Sequence, residues 1–176
     1  MKKLNIDKEG LKEGVQTKIT PLIIKESAKL KGSGMDLIEN ILRYIHNEYK
    51  LTKDLKIAMR TRDVDTLIES NILTSCNDYV HLFIALCRVK KIPAIYIETF
   101  HRDWLKSPKR IIKGHIFARI KLKDKEFIVD PTNGNVNLIS SFGRYEPMCE
   151  GLDFGTLFPI SEEYPEKIMK YFHIKF

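Results

Sequence analysis

The sequence predicts an α+β domain, with helices in its first half and antiparallel strands in its second. Apolar residues recur at helical spacing within residues 35–51 and again within residues 76–90. Residues 115–122 and 126–130 are instead rich in β-branched and aromatic side chains on either side of a short polar turn, as in a β-hairpin. Separate runs of helices and strands are typical of the α+β class.

Two helices are predicted in the first fifty residues. Residues 1–20 are polar and show no clear period, whereas residues 21–31 are expected to form a short helix with Thr20 as N-cap and Pro21 in its first position. A Gly-Ser-Gly segment ends this helix, and residues 35–51 are expected to form an amphipathic helix. The apolar face of that second helix consists of Ile38, Ile41, Leu42, Ile45 and Tyr49.

Two more helices and a strand are predicted next. Residues 63–70 carry three apolar side chains on one side, and residues 76–90 are apolar over most of their length. We expect the helix of residues 76–90 to end before Pro93, because the residue that precedes a proline disfavours helical geometry. Residues 94–100 alternate as a strand does.

The other segments are expected to be loops, apart from the hairpin and one terminal helix. Residues 101–113 are polar and basic, and residues 131–160 are rich in Gly, Asn and Pro, so we expect them to wrap the surface. Residues 161–172 are predicted to form the terminal helix. Since no internal repeat or linker divides the chain, residues 1–176 are interpreted as one domain.

Composition favours a soluble protein of the cytoplasm. No apolar run reaches the length of a membrane span, and the polar start of the chain lacks a signal-peptide stretch. Three cysteines are too few for a disulfide scaffold, which fits a reducing compartment. The net charge of +7 comes mostly from lysines spread along the chain, so we expect a solvated surface without a nucleic-acid or membrane partner.

Cys76 is the leading candidate for a nucleophile. It follows Ser75, a preferred N-cap residue, and Asp78 stands three positions after Ser75, where it would complete a capping box. Cys76 would then be the first helical residue, beside unpaired backbone N–H groups at the positive end of the helix dipole. Such a position favours the thiolate, the nucleophilic form of cysteine. The apolar stripe that begins at Cys76 is expected to turn its sulfur towards the sheet.

His115 and Asp130 are the candidate partners of Cys76, since a thiolate nucleophile needs a base and the base needs an orienting group. Both residues lie on the predicted hairpin. If the hairpin turns on a two- or four-residue loop centred on residues 123–124, Phe117 opposes Asp130 and His115 is a diagonal neighbour of Asp130 on the same face. A three-residue loop would place His115 and Asp130 on opposite faces.

A metal site is an alternative explanation for these residues, beside the ordinary structural roles that each residue type also has. Cys76 and Cys87 lie three helical turns apart, about 16 Å along the axis, which is too far for one zinc ion. No CxxC or HExxH spacing occurs, so the sequence predicts neither a metal nor a cofactor. The histidines without a recognisable partner pattern are His46, His101 and His173.

The three candidate residues lie in sequence blocks that resemble the transglutaminase-like superfamily. Residues 75–94 are similar to its core motif, which has a nucleophilic cysteine, an acidic residue two positions on, an apolar helix, an arginine and a closing Ile-Pro-Ala. The His-Ile-Phe of residues 115–117 is similar to the family's His-Ala-Trp strand, and the Asp-Pro-Thr of residues 130–132 matches the family's ending. The resemblance covers residues 60–135.

The resemblance implies a papain-like α+β fold, in which a central helix carrying the cysteine packs on an antiparallel sheet carrying the histidine and the aspartate. It implies Cys76 as nucleophile, His115 as general base and acid, and Asp130 as orienting residue. Two departures concern substrate and activity more than fold. Thr74 stands where the family often has glycine, and Phe117 stands where it has tryptophan.

Three functions are compatible with this resemblance. A thioester formed on Cys76 can pass its acyl group to water, as in a peptidase or amidase, or to an amine, as in a transglutaminase proper. The third is a catalytically silent module that binds peptides in the same cleft. We expect hydrolysis of a peptide or protein substrate, because nothing in the sequence marks an amine-binding site.

Overall fold

The structure is a computed structural model that describes residues 3–52, 60–107, 113–138 and 142–158. The terminal helix expected at residues 161–172 lies outside the described residues. The described helices are α1 (Ile6–Glu9), α2 (Pro21–Ala28), α3 (Gly34–Glu48), α4 (Val64–Ser70), α5 (Cys76–Val89), α6 (Arg102–Lys106) and α7 (Phe154–Leu157). The described strands are β1 (Lys50–Leu51), β2 (Ile72–Leu73), β3 (Ala94–His101), β4 (Gly114–Leu122), β5 (Lys125–Asp130), β6 (Asn135–Leu138) and β7 (Tyr145–Gly151).

The first helices follow the sequence pattern. α2 begins at Pro21, and the Thr20 side chain accepts a hydrogen bond from the N–H of Ile23, as expected of an N-cap. α3 buries the predicted apolar face, and it ends at Glu48, three residues earlier than predicted. The residues after it pair with β2 in a two-stranded parallel sheet, so their backbone groups bond outside the helix.

The end of α5 is built by a local hydrogen-bond motif. Lys91 adopts the left-handed conformation, with a φ of 61°. The N–H of Lys91 donates to the Arg88 carbonyl, and the N–H of Ile92 donates to the Cys87 carbonyl, which are the hydrogen bonds of a Schellman motif. The helix therefore ends at a left-handed residue, and Pro93 follows two positions later.

Five antiparallel strands form the sheet on which the helices pack, in the order β6-β5-β4-β3-β7. The predicted hairpin is formed by β4 and β5. Leu122 pairs with Lys125, which leaves a two-residue turn in which Lys123 has a φ of 53°. The even loop length is thus the one that keeps His115 and Asp130 on the same face.

Two expectations for loop segments are wrong. The stretch 101–113 contains α6, and the stretch 131–160 contributes β6, β7 and α7 instead of only wrapping the surface. β7 was not predicted, because it contains Pro147 and charged residues, which are unusual inside a strand. It lies at the edge of the sheet, where proline is tolerated, and its register against β3 shifts between Glu98 and Thr99.

α5 is the central helix of the molecule. Residues 77–88 are all buried, and α5 packs against β3 and β4 as well as against α2, α3 and α4. The buried guanidinium of Arg88 donates hydrogen bonds to the carbonyls of Gly10, Ala94 and Leu152 and to the hydroxyl of Thr17. These bonds satisfy the buried charge and tie three separate segments to α5.

The opposite face of the sheet carries a second, smaller apolar cluster. It consists of Ile97, Phe117 and Ile128, with Phe142 and Tyr145 packed against it. Side chains alternate along β4, so Phe117 points away from the layer that contains α5. This smaller cluster lies beside the candidate site. Of the helices in the described ranges, none is both long and apolar enough to cross a membrane.

Candidate active site

Cys76 is the first residue of α5, as predicted. It is half-buried and packs against the larger apolar core, which contains the buried side chains of α5. Ser75 occupies the N-cap position, but its side chain makes no capping hydrogen bond with the first turn of α5. The prediction of a capping box is therefore wrong. The Asp78 carboxylate instead accepts hydrogen bonds from the N–H of Thr74 at 2.7 Å and from its hydroxyl at 2.8 Å. Asp78 also forms a buried ion pair with Arg62, which draws the carboxylate away from Ser75.

The start of α5 is also attached to the sheet. Asn77 is buried, and its side-chain oxygen lies 3.1 Å from the hydroxyl of Tyr96 on β3. The Tyr96 hydroxyl is in turn 2.7 Å from a carboxylate oxygen of the buried Glu98. Because Asn77 follows Cys76 directly, this contact holds the first turn of the helix against the sheet and fixes the position of the cysteine.

His115 and Asp130 meet at one end of the hairpin. The Nε2 atom of His115 lies 2.9 Å from Oδ2 of Asp130, and both side chains are nearly buried. The register of β4 and β5 that pairs Ala118 with Val129 brings the two residues into the predicted diagonal relationship. The carboxylate therefore occupies one ring nitrogen and leaves Nδ1 of His115 for another partner.

Cys76 is the second residue that interacts with the His115 imidazole. Burial acts to lower the pKa of His115, but hydrogen bonds and coulombic interactions with Asp130 and Cys76 outweigh it and raise that pKa to about 9. His115 thus interacts with both other predicted site residues. A pKa near 9 means that the imidazole is mostly protonated at neutral pH.

Asp130 is held as the charged form by a residue that the sequence pattern did not single out. The side-chain N–H of Asn133 donates to Asp130 at 2.8 Å, and its backbone N–H donates at 3.2 Å. Burial acts to raise the pKa of Asp130, but the hydrogen bonds from His115 and Asn133 and the nearby imidazole charge lower it below its usual range. Asn133 lies just after the Asp-Pro-Thr block, in a tight turn before β6.

His46 also contributes to this region, although its sequence context showed no partner pattern. Its Nε2–H donates to the carbonyl oxygen of Pro131 at 2.8 Å, since a carbonyl can only accept. Its ring also packs on Tyr79 of α5, with ring centroids 5.2 Å apart. α3 therefore supports the backbone that follows Asp130, over a distance of 85 positions in the sequence.

Two aromatic rings enclose the imidazole of His115. The ring of Phe117 stands edge-on, with centroids 4.9 Å apart and an interplanar angle of 89°. The ring of Tyr145 lies more nearly parallel, at 5.3 Å and 32°. Beyond these rings the structure has an open cavity of about 410 Å³. Its lining consists of Phe117, Asp130, Asn135, Asn137, Phe142, Gly143, Arg144 and Tyr145.

The remaining histidines of the described segments have structural roles. His81 is fully buried in α5, where desolvation lowers its pKa to about 4, and its Nε2 accepts a hydrogen bond from the N–H of Phe154. His101 accepts a hydrogen bond from the N–H of Asp103 at the start of α6. Within the described ranges, His, Cys, Asp and Glu side chains form no group of three that could hold a metal ion. His173 lies outside these ranges.

The arrangement has the parts of a thiol-based acyl-transfer site. A half-buried sulfur lies at a helix N-terminus, an imidazole interacts with it, and a carboxylate orients the imidazole. The other two cysteines are buried, and burial raises the pKa of both the Cys87 and the Cys149 thiol. Thiolate chemistry at neutral pH is therefore disfavoured at those two positions.

Comparisons with known proteins agree with the fold. A sequence model of the transglutaminase-like superfamily matches residues 24–131. Among solved structures, a candidate cysteine protease from Cytophaga hutchinsonii has a TM-score of 0.59 at 19% sequence identity, over 81% of this chain and 46% of that chain. LapG from Legionella pneumophila has a TM-score of 0.49 at 12% identity, over 86% of this chain and 81% of LapG. No curated protein matches the chain.

The family match confirms the predicted resemblance to the transglutaminase-like superfamily. The expected α+β architecture is also present. The similarity to the Cytophaga hutchinsonii protein shows a shared fold, and this chain spans less than half of that protein's length. Tyr145 and Phe142 lie beyond the last residue that the family model matches. One wall of the site is therefore formed by a part of the chain outside the matched region.

Proposed function

The chain belongs to the transglutaminase-like superfamily, and we propose that it is a cysteine-dependent acyl-transfer enzyme that hydrolyses a peptide or amide bond. Cys76 is the nucleophile, His115 is the general base and acid, and Asp130 orients His115. The observation that carries this proposal is that His115 hydrogen-bonds Asp130 at 2.9 Å and also interacts with Cys76. Such an arrangement couples a thiolate to an oriented proton carrier.

The proposed reaction has two steps. In the first, the Cys76 sulfur bonds to the carbonyl carbon of the substrate, the C–N bond breaks, and the imidazolium of His115 gives its proton to the leaving amine. In the second, water attacks the thioester carbon while His115 takes a proton from that water. The C–S bond then breaks, the acid product leaves, and the sulfur returns to the thiolate.

The position of Cys76 supplies a second element of the mechanism. Its backbone N–H is one of the unpaired donors in the first turn of α5, at the positive end of the helix dipole. We assign this N–H to the developing oxyanion, since donors placed where charge develops lower the barrier. The buried ion pair of Asp78 and Arg62 supports the same turn.

Two alternative functions are compatible with the same site. Transamidation uses the same thioester and replaces water with an amine, so it shares all three residues. A catalytically silent peptide-binding module would keep the cleft and lose the chemistry. We favour a peptide or protein substrate. We also favour a reducing location such as the cytoplasm, because the three cysteines are free thiols.

A trapping experiment tests the proposal. The protein is incubated with a broad panel of peptides, amides and activated esters, and acyl-enzyme is sought on Cys76 by mass spectrometry. We expect Cys76→Ala to abolish turnover and His115→Ala to be nearly as damaging, whereas Asp130→Asn should be milder because the base remains. Cys149→Ala is the matched control and should retain activity.

Two results would contradict the proposal. The first is full turnover by a folded Cys76→Ala variant. The second is a folded wild-type protein that forms no acyl-enzyme across the panel, and this outcome would favour the binding module. Because the residues of a triad act as a unit, the effects of the three substitutions should not add in double variants.

A further inference from the structure

We propose that the cavity beyond the His115 imidazole binds the amine component of acyl transfer, and that it selects an amine joined to an aromatic side chain and a carboxylate. This inference rests on the proposed function and names the chemical class of one half of the substrate. The amine component is the leaving group in hydrolysis and the acceptor in transamidation, and both pass through the same position.

The path of the proton indicates which part of the site the amine occupies. The acyl part of the substrate becomes attached to Cys76, whereas the amine nitrogen exchanges a proton with His115 and must therefore lie against the imidazole. Whatever is joined to that nitrogen extends past the ring. Phe117 and Tyr145 both contact the imidazole and both line the cavity. Through these two rings the cavity borders the His115 imidazole.

The walls of the cavity favour an aromatic group. Phe117 and Phe142 meet edge-to-face with centroids 5.3 Å apart, and Phe117 and Tyr145 meet at 5.9 Å. Three rings in this arrangement offer both faces and edges to a further ring, which is the geometry that aromatic pairs prefer. A volume of about 410 Å³ accommodates a benzyl-sized side chain together with its backbone.

The rim of the cavity favours a negative charge. Arg144 is exposed there, and its guanidinium lies 5.9 Å from the centre of the Tyr145 ring. Asn135 and Asn137 line the same cavity with exposed side-chain amides. The Asp130 carboxylate is already bonded to His115 and Asn133, so the rim offers a carboxylate one cation and two amide donors. An amine that carries an aromatic side chain and a free α-carboxylate therefore fits both the walls and the rim of the cavity.

The chemistry can be followed with an activated ester in place of the unidentified acyl donor. p-Nitrophenyl acetate would acylate Cys76 and release p-nitrophenol. An added amine then competes with water: its nitrogen bonds to the thioester carbon, the C–S bond breaks with its electron pair on sulfur, and His115 takes the amine proton. The acceptors are glycyl-phenylalanine, its C-terminal amide and glycyl-glycine, whose amino groups are chemically alike.

We expect the acyl group to partition to glycyl-phenylalanine about tenfold more than to glycyl-glycine, as burial of a benzyl group predicts. It should partition to glycyl-phenylalanine about threefold more than to its amide, as a partly exposed ion pair predicts. Arg144→Gln should remove only the carboxylate preference, and Phe142→Ala should reduce the aromatic preference. Lys25→Gln, which removes an exposed charge on α2, is the control and should keep both preferences.

The outcomes separate the two proposals. Absence of p-nitrophenol release and of acetyl-Cys76 overturns the proposed function, and this inference with it. Acetylation of Cys76 followed by equal partitioning to all three dipeptides overturns the inference alone. Preferences that persist in Arg144→Gln and Phe142→Ala proteins with wild-type melting temperatures also overturn it, because the selectivity would then arise elsewhere.

Discussion

Asn133 donates two hydrogen bonds to Asp130, one from its side chain at 2.8 Å and one from its backbone at 3.2 Å. The side-chain amide bonds Oδ2, the oxygen that also bonds His115, and the backbone N–H bonds Oδ1. Two donors on an acceptor that already bonds His115 keep it ionised and restrict its rotation. Asn133 thus acts on His115 through Asp130, as a positioning residue.

We predict that Asn133→Ala lowers kcat about fivefold to tenfold with little change in KM, because the orientation of Asp130 is loosened while the nucleophile and base remain. The free energy of unfolding should fall by about 1–2 kcal/mol, the cost of a lost hydrogen bond to a charged group. Steady-state kinetics and urea unfolding measure both effects. Asn40→Ala, which removes a side-chain hydrogen bond from α3 to the Lys31 carbonyl, should leave kcat unchanged. Equal kcat in wild type and Asn133→Ala would contradict the positioning role.

We predict that Cys76 is alkylated by iodoacetamide near neutral pH faster than Cys87 and Cys149. Cys76 is half-buried, whereas Cys87 is fully buried and Cys149 is 7% exposed, and burial raises the pKa of both of those thiols. Peptide mapping by mass spectrometry after brief treatment gives the three rates. Labelling of Cys87 ahead of Cys76 would be incompatible with the assigned nucleophile.

The dependence of the unfolding free energy on pH should reveal the raised pKa of His115. Its pKa in the folded protein is about 9, above its ordinary value of 6.5, so folding favours the protonated imidazole. The resulting stabilisation is complete below pH 6.5 and is lost as the pH rises through 9. We expect the unfolding free energy of the wild type, relative to His115→Gln, to decrease by about 1–3 kcal/mol between pH 6 and pH 10.

Urea unfolding of both proteins at several pH values measures this difference. Subtraction of the His115→Gln curve removes the titration of groups other than His115. A difference between the two proteins that does not change from pH 6 to pH 10 would show that folding leaves the pKa of His115 at its ordinary value.

We predict that Asp78→Ala destabilises the protein by about 3–5 kcal/mol, because it leaves the buried guanidinium of Arg62 without its anionic partner. It also removes the acceptor for the N–H of Thr74, immediately before Cys76. Thermal or urea unfolding measures the loss. Asp36→Ala, which removes an exposed carboxylate from the first turn of α3, should change stability far less. A loss below 1 kcal/mol for Asp78→Ala would contradict this account.

The helices and the hairpin were predictable because their signals are local. Apolar residues at helical spacing identified α3, the Thr20–Pro21 pair identified the start of α2, and alternation around a polar turn identified β4 and β5. The two-residue turn was one of two loop lengths that place His115 and Asp130 on the same face. The proximity of these two residues therefore depended on a register that the sequence pattern left open.

The strands β6 and β7 were not predictable from local pattern. β6 is only four residues long, β7 contains Gly, Pro and charged residues, and both gain their structure from pairing with β5 and β3. The capping box failed for a related reason. Ser75 and Asp78 have the right spacing, but Arg62 lies close enough in the fold to attract the Asp78 carboxylate. A distant charged partner outweighed the local hydrogen bond.

The sequence by itself determined the order of cysteine, histidine and aspartate and the local element on which each lies, because helical period, strand alternation and turn residues act over a few positions. Only the tertiary structure decided what surrounds them. Asn133 on Asp130, His46 on Pro131 and Tyr145 on His115 are contacts set by turn geometry, helix packing and the pairing of an edge strand. Such contacts depend on the whole chain, so residues 142–145 become a wall of the site only when β7 joins β3.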